Sequence, residues 1–401
     1  MALQGEVPGL VIPRSSSRPG NEGVDIKIRG DISVNGIGPL ILLDGLEIPE
    51  WQLATLNAND IDTYSVLKDG AAAIFGTKAA GGVILITTKK GKRGQMKVSY
   101  KGELQVNRPL PFPVANLQDW ARLWIQAGDN DGISYLASKG LELQAASNYR
   151  FFTREQLVSI TDGTLPMAPE SFFWLGKDHR FEDVNQFDAV YGNTASQRHN
   201  LSFSGGNEKA TYRSSIGYAN ERSPISFVYD GAKKYNFRTN VTYQINDIVS
   251  TEAVISYDNR LVNEPTQGVG HGVQDMYLFP LYNPQGQYYD IFGSNNLLAK
   301  LDEGGRTKNR EEIFRLGAVL KLDLNKYIQG LSFNYSGNFS SRSGHKNTRT
   351  TSVTMYDWDG NISSTPTTLL TSSLNMAEAN TKFQNHVVKG NYLKSFGSHN
   401  I

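Results

Sequence analysis

The chain has 401 residues, with 40 lysines and arginines against 39 aspartates and glutamates, and its formal charge of +1 argues against a nucleic-acid partner. Its 39 glycines, 19 tyrosines and 18 phenylalanines, without sustained helical periodicity beyond the first quarter, favour a β protein. No run of 18 apolar residues exists, which excludes a membrane helix but not a membrane strand of roughly 9 to 11 residues, since such strands expose only alternate side chains to lipid. The absence of cysteine is compatible with an exported or a cytosolic protein.

In chain order, Val24, Ile26 and Ile28 alternate with Asp25, Lys27 and Arg29, and Leu40 to Leu43 ends in an Asp44-Gly45 turn. Thr63 to Lys68 reads as a short strand broken by Gly70. Ala71 to Phe75 follows as one or two helical turns closed by Gly76, with three alanines small enough to lie close against a sheet. Gly81 and Gly82 allow a tight reversal into Val83, Ile84, Leu85 and Ile86, a continuous apolar run expected of a strand covered on both faces. The basic turn Lys89 to Arg93 resembles a nucleic-acid patch, but at a junction between two strands it reads as a solvated charge cluster. These elements make a compact mixed α/β unit.

The same stretch resembles the plug of the TonB-dependent outer-membrane transporters, specifically the SusC/RagA type. The matching residues are Asn59-Asp60-Ile61, Val66-Leu67-Lys68-Asp69, Ala72-Ala73-Ile74-Phe75-Gly76 and the run Gly82 to Gly91, supported upstream by Gln4-Gly5, Pro8-Gly9, Ile28-Arg29-Gly30 and Asp44-Gly45. Gly70, Phe75 and Gly81 are mild departures from that pattern. The resemblance continues more loosely through Gly205-Gly206, Thr211-Tyr212 and Phe396 to Asn400. It implies a mainly β protein: a small mixed α/β plug, residues 1–93, followed by the N-terminal part of a large transmembrane β-barrel, residues 94–401. Because the chain starts inside the plug pattern without a signal peptide, it is expected to be a fragment whose TonB box lies upstream and whose barrel continues downstream.

From Val98 the chain alternates. Val98, Tyr100, Gly102, Leu104 and Val106 oppose Ser99, Lys101, Glu103 and Gln105; Tyr212, Ser214, Ile216 and Tyr218 oppose Thr211, Arg213 and Ser215 after a turn at Gly205 to Asn207. Tyr235, Phe237, Val241 and Tyr243 oppose Asn236, Arg238, Asn240, Thr242 and Gln244, and Ser250 to Leu261 follows. Phe314, Leu316 and Leu320 oppose Arg315 and Lys321, and Leu331, Phe333, Tyr335 and Phe339 oppose Ser332, Asn334, Asn338 and Ser340. With Asn385 to Lys394 last, this predicts about eight antiparallel strands of the about 22 in plugged outer-membrane barrels. Turns near Gly205, Asn246, Lys326 and Gly397 are short. The connections at residues 107–194, 220–231, 262–308 and 341–381 are mostly long, so the short ones mark the periplasmic rim.

In the first long connection Asn116 is placed to cap a helix whose Leu117, Trp120, Ala121 and Trp124 share a face, and Thr153 with Gln156 forms a capping box. The tryptophan pair reads as loop core. Trp174, Tyr282, Tyr288 and Tyr289 are the candidates for stacking on a sugar ring, and Arg238, Asn240, Thr242 and Gln244 for facing the lumen and the plug. Gly268 to Gly272 imitates a dinucleotide loop without its strand and helix. Asp129 to Gly132 and Asp357 to Gly360 imitate the start of a calcium loop without its remaining ligands. No catalytic constellation, cofactor motif or metal-ligand spacing is found.

The resemblance implies TonB-dependent import of a nutrient, an oligosaccharide (glycan) or a peptide, across the bacterial outer membrane, with outer-membrane lipid, a SusD-like surface lipoprotein and TonB as partners. Two other readings stand beside it. One is a TonB-dependent receptor for a siderophore or vitamin. The other is a soluble all-β carbohydrate-binding or adhesive protein, in which the apolar faces of the strands pack in a sandwich core.

Overall fold

The computed structural model describes residues 10–11, 18–20, 27–28, 38–67, 71–110, 115–130, 154–167, 170–174, 177–266, 279–290, 296–364, 372–393, 395–396 and 399–400. Val24, Ile26, Gly70, Asp131, Gly132, Thr153 and the loop 268–272 lie outside them.

The first unit is a four-stranded sheet. Strands β1 (Leu40–Leu43), β2 (Leu46–Ile48), β3 (Ile61–Leu67) and β4 (Val83–Thr88) stand in the order β2-β1-β4-β3, with β1 and β4 parallel and the other pairs antiparallel. The β1–β2 hairpin closes through Asp44 and Gly45, whose φ of 53° and 82° are the left-handed values that a two-residue turn requires. Val83 and Ile84 are fully buried because β4 is covered on both faces. On one side Ile41, Leu43, Ile48, Leu53, Ile84 and Ile86 form a core. On the other, Leu42 and Val83 pack under Ala72 and Ala79. The alanine segment forms short 3-10 turns, Ala73–Phe75 and Thr77–Ala79, and not a continuous helix.

The second unit is an eight-stranded antiparallel meander: β5 (Gly94–Asn107), β6 (Thr194–Gly206), β7 (Ala210–Arg222), β8 (Gly231–Gln244), β9 (Val249–Pro265), β10 (Gly305–Asp323), β11 (Leu331–Thr350) and β12 (Ser373–Tyr392). Every strand pairs with its sequence neighbour. The polarity of this wall is inverted relative to a soluble sheet. Side chains facing the first unit are polar and buried, among them Ser215, Arg238, Asn240, Glu252, Arg315 and Ser340. The opposite face exposes Ile216, Phe237, Val241, Ile255, Phe314 and Leu316. Among the described residues no second sheet pairs with the wall or covers that apolar face, as a sandwich would need. The arrangement is that of a barrel wall, greasy outside and wet inside.

Two strand boundaries differ from the sequence expectation. The last strand begins at Ser373 rather than Asn385, and β11 runs on to Thr350, so the expected loop 341–381 shrinks to 351–372. The pairing from Ser341↔Lys382 to Thr350↔Ser373 is continuous. The cause lies in what marks a strand. Backbone hydrogen bonds extend the ladder past the apolar band, where serine, threonine, asparagine and charged side chains leave no period-two signal.

The long connections build a third core. Helices α1 (Leu117–Asn130), α2 (Arg154–Thr161), α3 (Gln186–Val190) and α4 (Leu297–Glu303) bring Leu117, Ala121, Leu157, Phe181, Phe279 and Leu297 together. Asn116 caps α1 by accepting the Asp119 N–H at 2.8 Å. Trp120 and Trp124 lie 5.6 Å apart and pack against the cluster.

Truncating Ile84, 0% exposed, to alanine is expected to cost about 2–5 kcal/mol of local stability, read as faster amide exchange over Val83–Thr88. In the full-length protein reconstituted in a bilayer, fluorophores at Phe237, Leu320 and Phe333 are expected to be quenched by brominated lipid chains. Shielding of all three beneath another protein layer would overturn the assignment of this face.

Candidate functional site: the plug against the wall

The first unit sits on the polar face of the wall, and hydrogen bonds and ion pairs join the two, with fewer apolar contacts beside them. Three clusters carry them. In the first, Asp44 at the β1–β2 turn accepts the Thr88 N–H at 2.7 Å and the Thr88 hydroxyl at 2.8 Å within its own unit, and the Arg238 guanidinium of β8 at 2.6 Å across the interface. The Asp44 side chain is 3% exposed and that of Arg238 is 9% exposed. Asn240, two residues along the same inward face, donates to Thr88 Oγ1 at 3.0 Å and to the Lys89 carbonyl at 3.3 Å. A strand places every second side chain on one face, so β8 presents Arg238 and Asn240 as a pair.

The second cluster centres on Arg315 of β10. Its Nε donates to Gln52 Oε1 at 2.7 Å, its Nη2 donates to Thr55 Oγ1 at 2.7 Å, and its Nη1 pairs with Asp258 of β9. Gln52 is fully buried and donates in turn to Ser340 of β11 at 2.7 Å. The third joins Glu47 of β2 to Asn338, which donates to its carbonyl at 2.8 Å, and to Asn385 of β12, which donates to its carboxylate at 2.6 Å. Between clusters, Lys90 pairs with Glu252 at 2.5 Å and Arg213 approaches Asp60 at 3.7 Å. Leu46 makes a close apolar contact, at Gly317, where a Cβ would lie 2.6 Å from its Cδ1.

At the far end of the wall, Arg18 pairs with Asp230 at 3.1 Å and Glu264 at 3.4 Å, and Arg260 donates to the Gly20 carbonyl at 2.8 Å. The first unit is therefore tied to both ends of the bore. Each such bond is worth on the order of 1 kcal/mol net, because water competes for the same groups. Buried Arg238 Nε and Asn240 Oδ1 have no hydrogen-bond partner among the described residues, which weakens the contact further.

The candidate residues fall in different places. Arg238 and Asn240 touch the first unit. Thr242 is half-buried between Thr211 and Glu252, and Gln244 is exposed, its amide donating to the Asn246 carbonyl at 2.6 Å. Among the aromatic candidates, Tyr282 and Tyr288 stack with ring centroids 5.3 Å apart, and Tyr282 is 39% exposed. The Tyr288 hydroxyl donates to Asp302 at 2.8 Å; burial, and then that bond, raises its pKa well above the ordinary tyrosine value. Tyr289, next in sequence, is buried edge-on to Trp358 and accepts the Arg180 N–H at 3.0 Å, so its ring faces loop core and not solvent. Trp174 belongs to a short hairpin, Phe172–Trp174 with Lys177–His179, where it pairs with Lys177.

The sequence reading missed Gln52, Thr55 and Arg18 as interface residues, because nothing in a 3-10 turn or an isolated loop marks the direction in which a polar side chain points. Arg315 carried the one usable signal: a guanidinium on the polar face of a strand requires a buried partner. The calcium-like Asp357 instead closes its own turn, accepting the Asp359 and Asn361 N–H groups at 3.0 and 2.8 Å. Burial alone would raise its pKa, but the bonds from Asn361 and the turn amides hold it below the usual carboxylate value. Asp129 pairs with Arg154 at 3.3 Å. Among the described residues no group of three acidic or histidine side chains could hold a metal ion.

Comparison with known proteins agrees with this geometry. The family profile "TonB-dependent Receptor Plug Domain" matches residues 1–83. A TonB-dependent receptor of Formosa agariphila is 26% identical over 290 residues, covering 72% of this chain and 26% of the relative. The TonB-dependent receptor SusC of Bacteroides thetaiotaomicron is 28% identical over 246 residues, covering 59% of this chain and 20% of the relative. The chain thus spans about a quarter or less of the length of these two relatives. The fold matches the RagAB peptide importer in its open-open state with a TM-score of 0.68 at 21% identity, over 99% of this chain and 43% of that one. With a plug-family sequence over residues 1–83 seated on the polar face of an eight-stranded barrel wall, the chain is similar to TonB-dependent receptors of the SusC type in sequence and to the RagAB peptide importer in fold.

Proposed function

We propose that the whole protein to which this chain belongs imports an oligosaccharide or a peptide across the bacterial outer membrane, driven by TonB and working with a SusD-like surface lipoprotein. Residues 1–93 act as the plug and residues 94–401 as the first part of the barrel. The observation that carries this reading is the polar seam between plug and wall. A stopper held by these hydrogen bonds and ion pairs would block the bore at rest, yet among the described residues no apolar core joins it to the wall. Pulling on it breaks weak contacts in series and leaves the wall intact.

The relatives support the class. TonB-dependent receptors and a peptide importer share the sequence pattern and the fold respectively. Cargo would be captured on the side of the long connections. There the stacked Tyr282–Tyr288 pair offers an exposed aromatic face suited to a sugar ring, and Trp174 lies in the same set of connections. Thr242 and Gln244 continue the inward polar stripe of β8 below Asn240 and would line the space vacated by a displaced plug.

Removing the full-length gene is expected to abolish growth on one glycan or peptide. Uptake unchanged on every candidate of both classes would overturn the cargo assignment, as would loss of an iron chelate's uptake alone. Replacing Tyr282 and Tyr288 by alanine is expected to weaken binding of a glycan cargo by about tenfold, through loss of stacking, and to leave a peptide cargo unaffected. Substituting Arg238→Ala leaves Asp44 buried without its cation, a cost of about 3–5 kcal/mol, read as faster amide exchange in β4 and raised basal pore conductance. The double variant Asp44→Asn with Arg238→Gln is expected to recover part of that loss, since no charge is then stranded.

A further inference from the structure

The lipid-facing side of the wall changes chemistry abruptly toward the end that bears the long connections. Pairing across β7 to β12 defines the rows of outward side chains. The row Ile216, Phe237, Tyr257 and Phe314 is aromatic and aliphatic. Two residues nearer the long connections, Tyr218 and Tyr235 pack at 5.2 Å as an aromatic belt. Two further on, Lys233, Leu261, Arg310, His345 and Glu378 stand side by side on five successive strands. The next row adds Lys308, flanked by Asn263 and Asn347. These two rows, with Tyr229 folded over from the β7–β8 connection, line an open groove of about 950 Å³.

The groove is amphipathic. Leu261 stands in one row between Lys233 and Arg310, and Met376 in the next row with Lys308, so apolar and cationic side chains line it side by side. The carboxylates near it are already engaged. Glu312 accepts from Tyr257 at 2.8 Å and from Arg310 at 2.5 Å, and Glu378 lies 3.2 Å from His345 Nδ1. Lys233 and Lys308 are exposed and have no ion pair among the described residues. A soluble surface would scatter such charges. Here they stand one row beyond Tyr218 and Tyr235, and two rows beyond the apolar row Ile216 to Phe314, where bilayer hydrocarbon gives way to headgroups.

We propose that this groove binds the phosphate of an anionic lipid headgroup, with Lys233 and Lys308 as the phosphate-contacting cations and Leu261 and Met376 against the start of an acyl chain. The inference rests on the membrane placement proposed above. It adds a lipid site on the outside of the wall, remote from the bore, that would fix the height of the barrel in the bilayer.

The test uses the full-length protein in detergent, titrated in native mass spectrometry with dioleoyl phosphatidic acid, with dioleoylglycerol, which has the same chains and no phosphate, and with glycerol 3-phosphate, which has no chains. Phosphatidic acid is expected to bind at least about tenfold more tightly than either. The variant Lys233→Gln with Lys308→Gln is expected to lose that preference, while Lys209→Gln with Lys326→Gln, exposed lysines at the opposite rim, retains it. Equal binding of the two lipids, equal binding of glycerol 3-phosphate, or a preference that survives loss of Lys233 and Lys308 overturns the proposal. Insertion into liposomes, scored on the same preparation, separates the two readings: failure to insert overturns the membrane placement itself, whereas insertion without phosphate preference overturns the lipid site alone.

Discussion

Seating Asp44 against Arg238 constrains most of what surrounds it. A carboxylate at the tip of a two-residue turn would ordinarily face water. Here it is buried, satisfied by Thr88 from its own sheet and by one guanidinium from the wall. A buried carboxylate that loses its cation is expensive, so the position of β8 relative to β4 is fixed by this contact more firmly than by any apolar one. That in turn places Asn240 over Thr88 and brings Arg315, two strands away, over Gln52 and Thr55. The wall must then turn its polar face toward the plug along its whole length. Only an apolar medium on the other side makes that inversion stable.

The same constraint explains why the cores of the plug and of the long connections stay separate from the wall. The plug has its own two-sided core around β4, and the long connections have another around Phe181, Phe279 and Leu298. Neither merges with the wall, whose large exposed apolar side chains point outward while Ile313, Val254 and Val262 are buried on its inner face. Parts joined by hydrogen bonds and ion pairs can be parted with water replacing each contact, while each part retains the burial that folds it. A shared apolar core would bind the parts more tightly and would expose greasy surface on release. The polar seam thus leaves the burial that folds each part independent of the other.

Much of this was legible in the residues. Strict alternation in β7, β8 and β10 gave the number and direction of the wall strands, because one face must meet hydrocarbon. The run Val83 to Ile86 gave the central plug strand, because only a strand covered on both faces is apolar throughout. What could not be read were the extensions of β11 and β12 beyond Ser341 and before Thr381, where backbone pairing alone sustains the ladder. The partners of Arg238 and Arg315 were also hidden. A charged residue on a polar face announces that a partner exists, but the partner sits 194 residues away for Arg238 and 263 away for Arg315, and three-dimensional closure alone pairs them. Among the aromatic candidates, three tyrosines within eight residues look alike in sequence, yet Tyr282 and Tyr288 form a face that solvent reaches while Tyr289 holds the loop core together.

The two ends of the plug are held from different parts of the fold. At the end near β5, the contacts come from residues within regular strands or next to them: Asp44, Thr88, Lys89 and Lys90 are all within a few residues of β1 or β4. At the end bearing the long connections, Arg18 and Gly20 reach Asp230, Glu264 and Arg260 from outside the plug sheet. A force transmitted through β4 loads the Asp44–Arg238 contact directly, because Thr88 ends β4 and bonds the same carboxylate. The proximal contact is thus bound into the strand ladder of the plug sheet, while the distal one lies outside it.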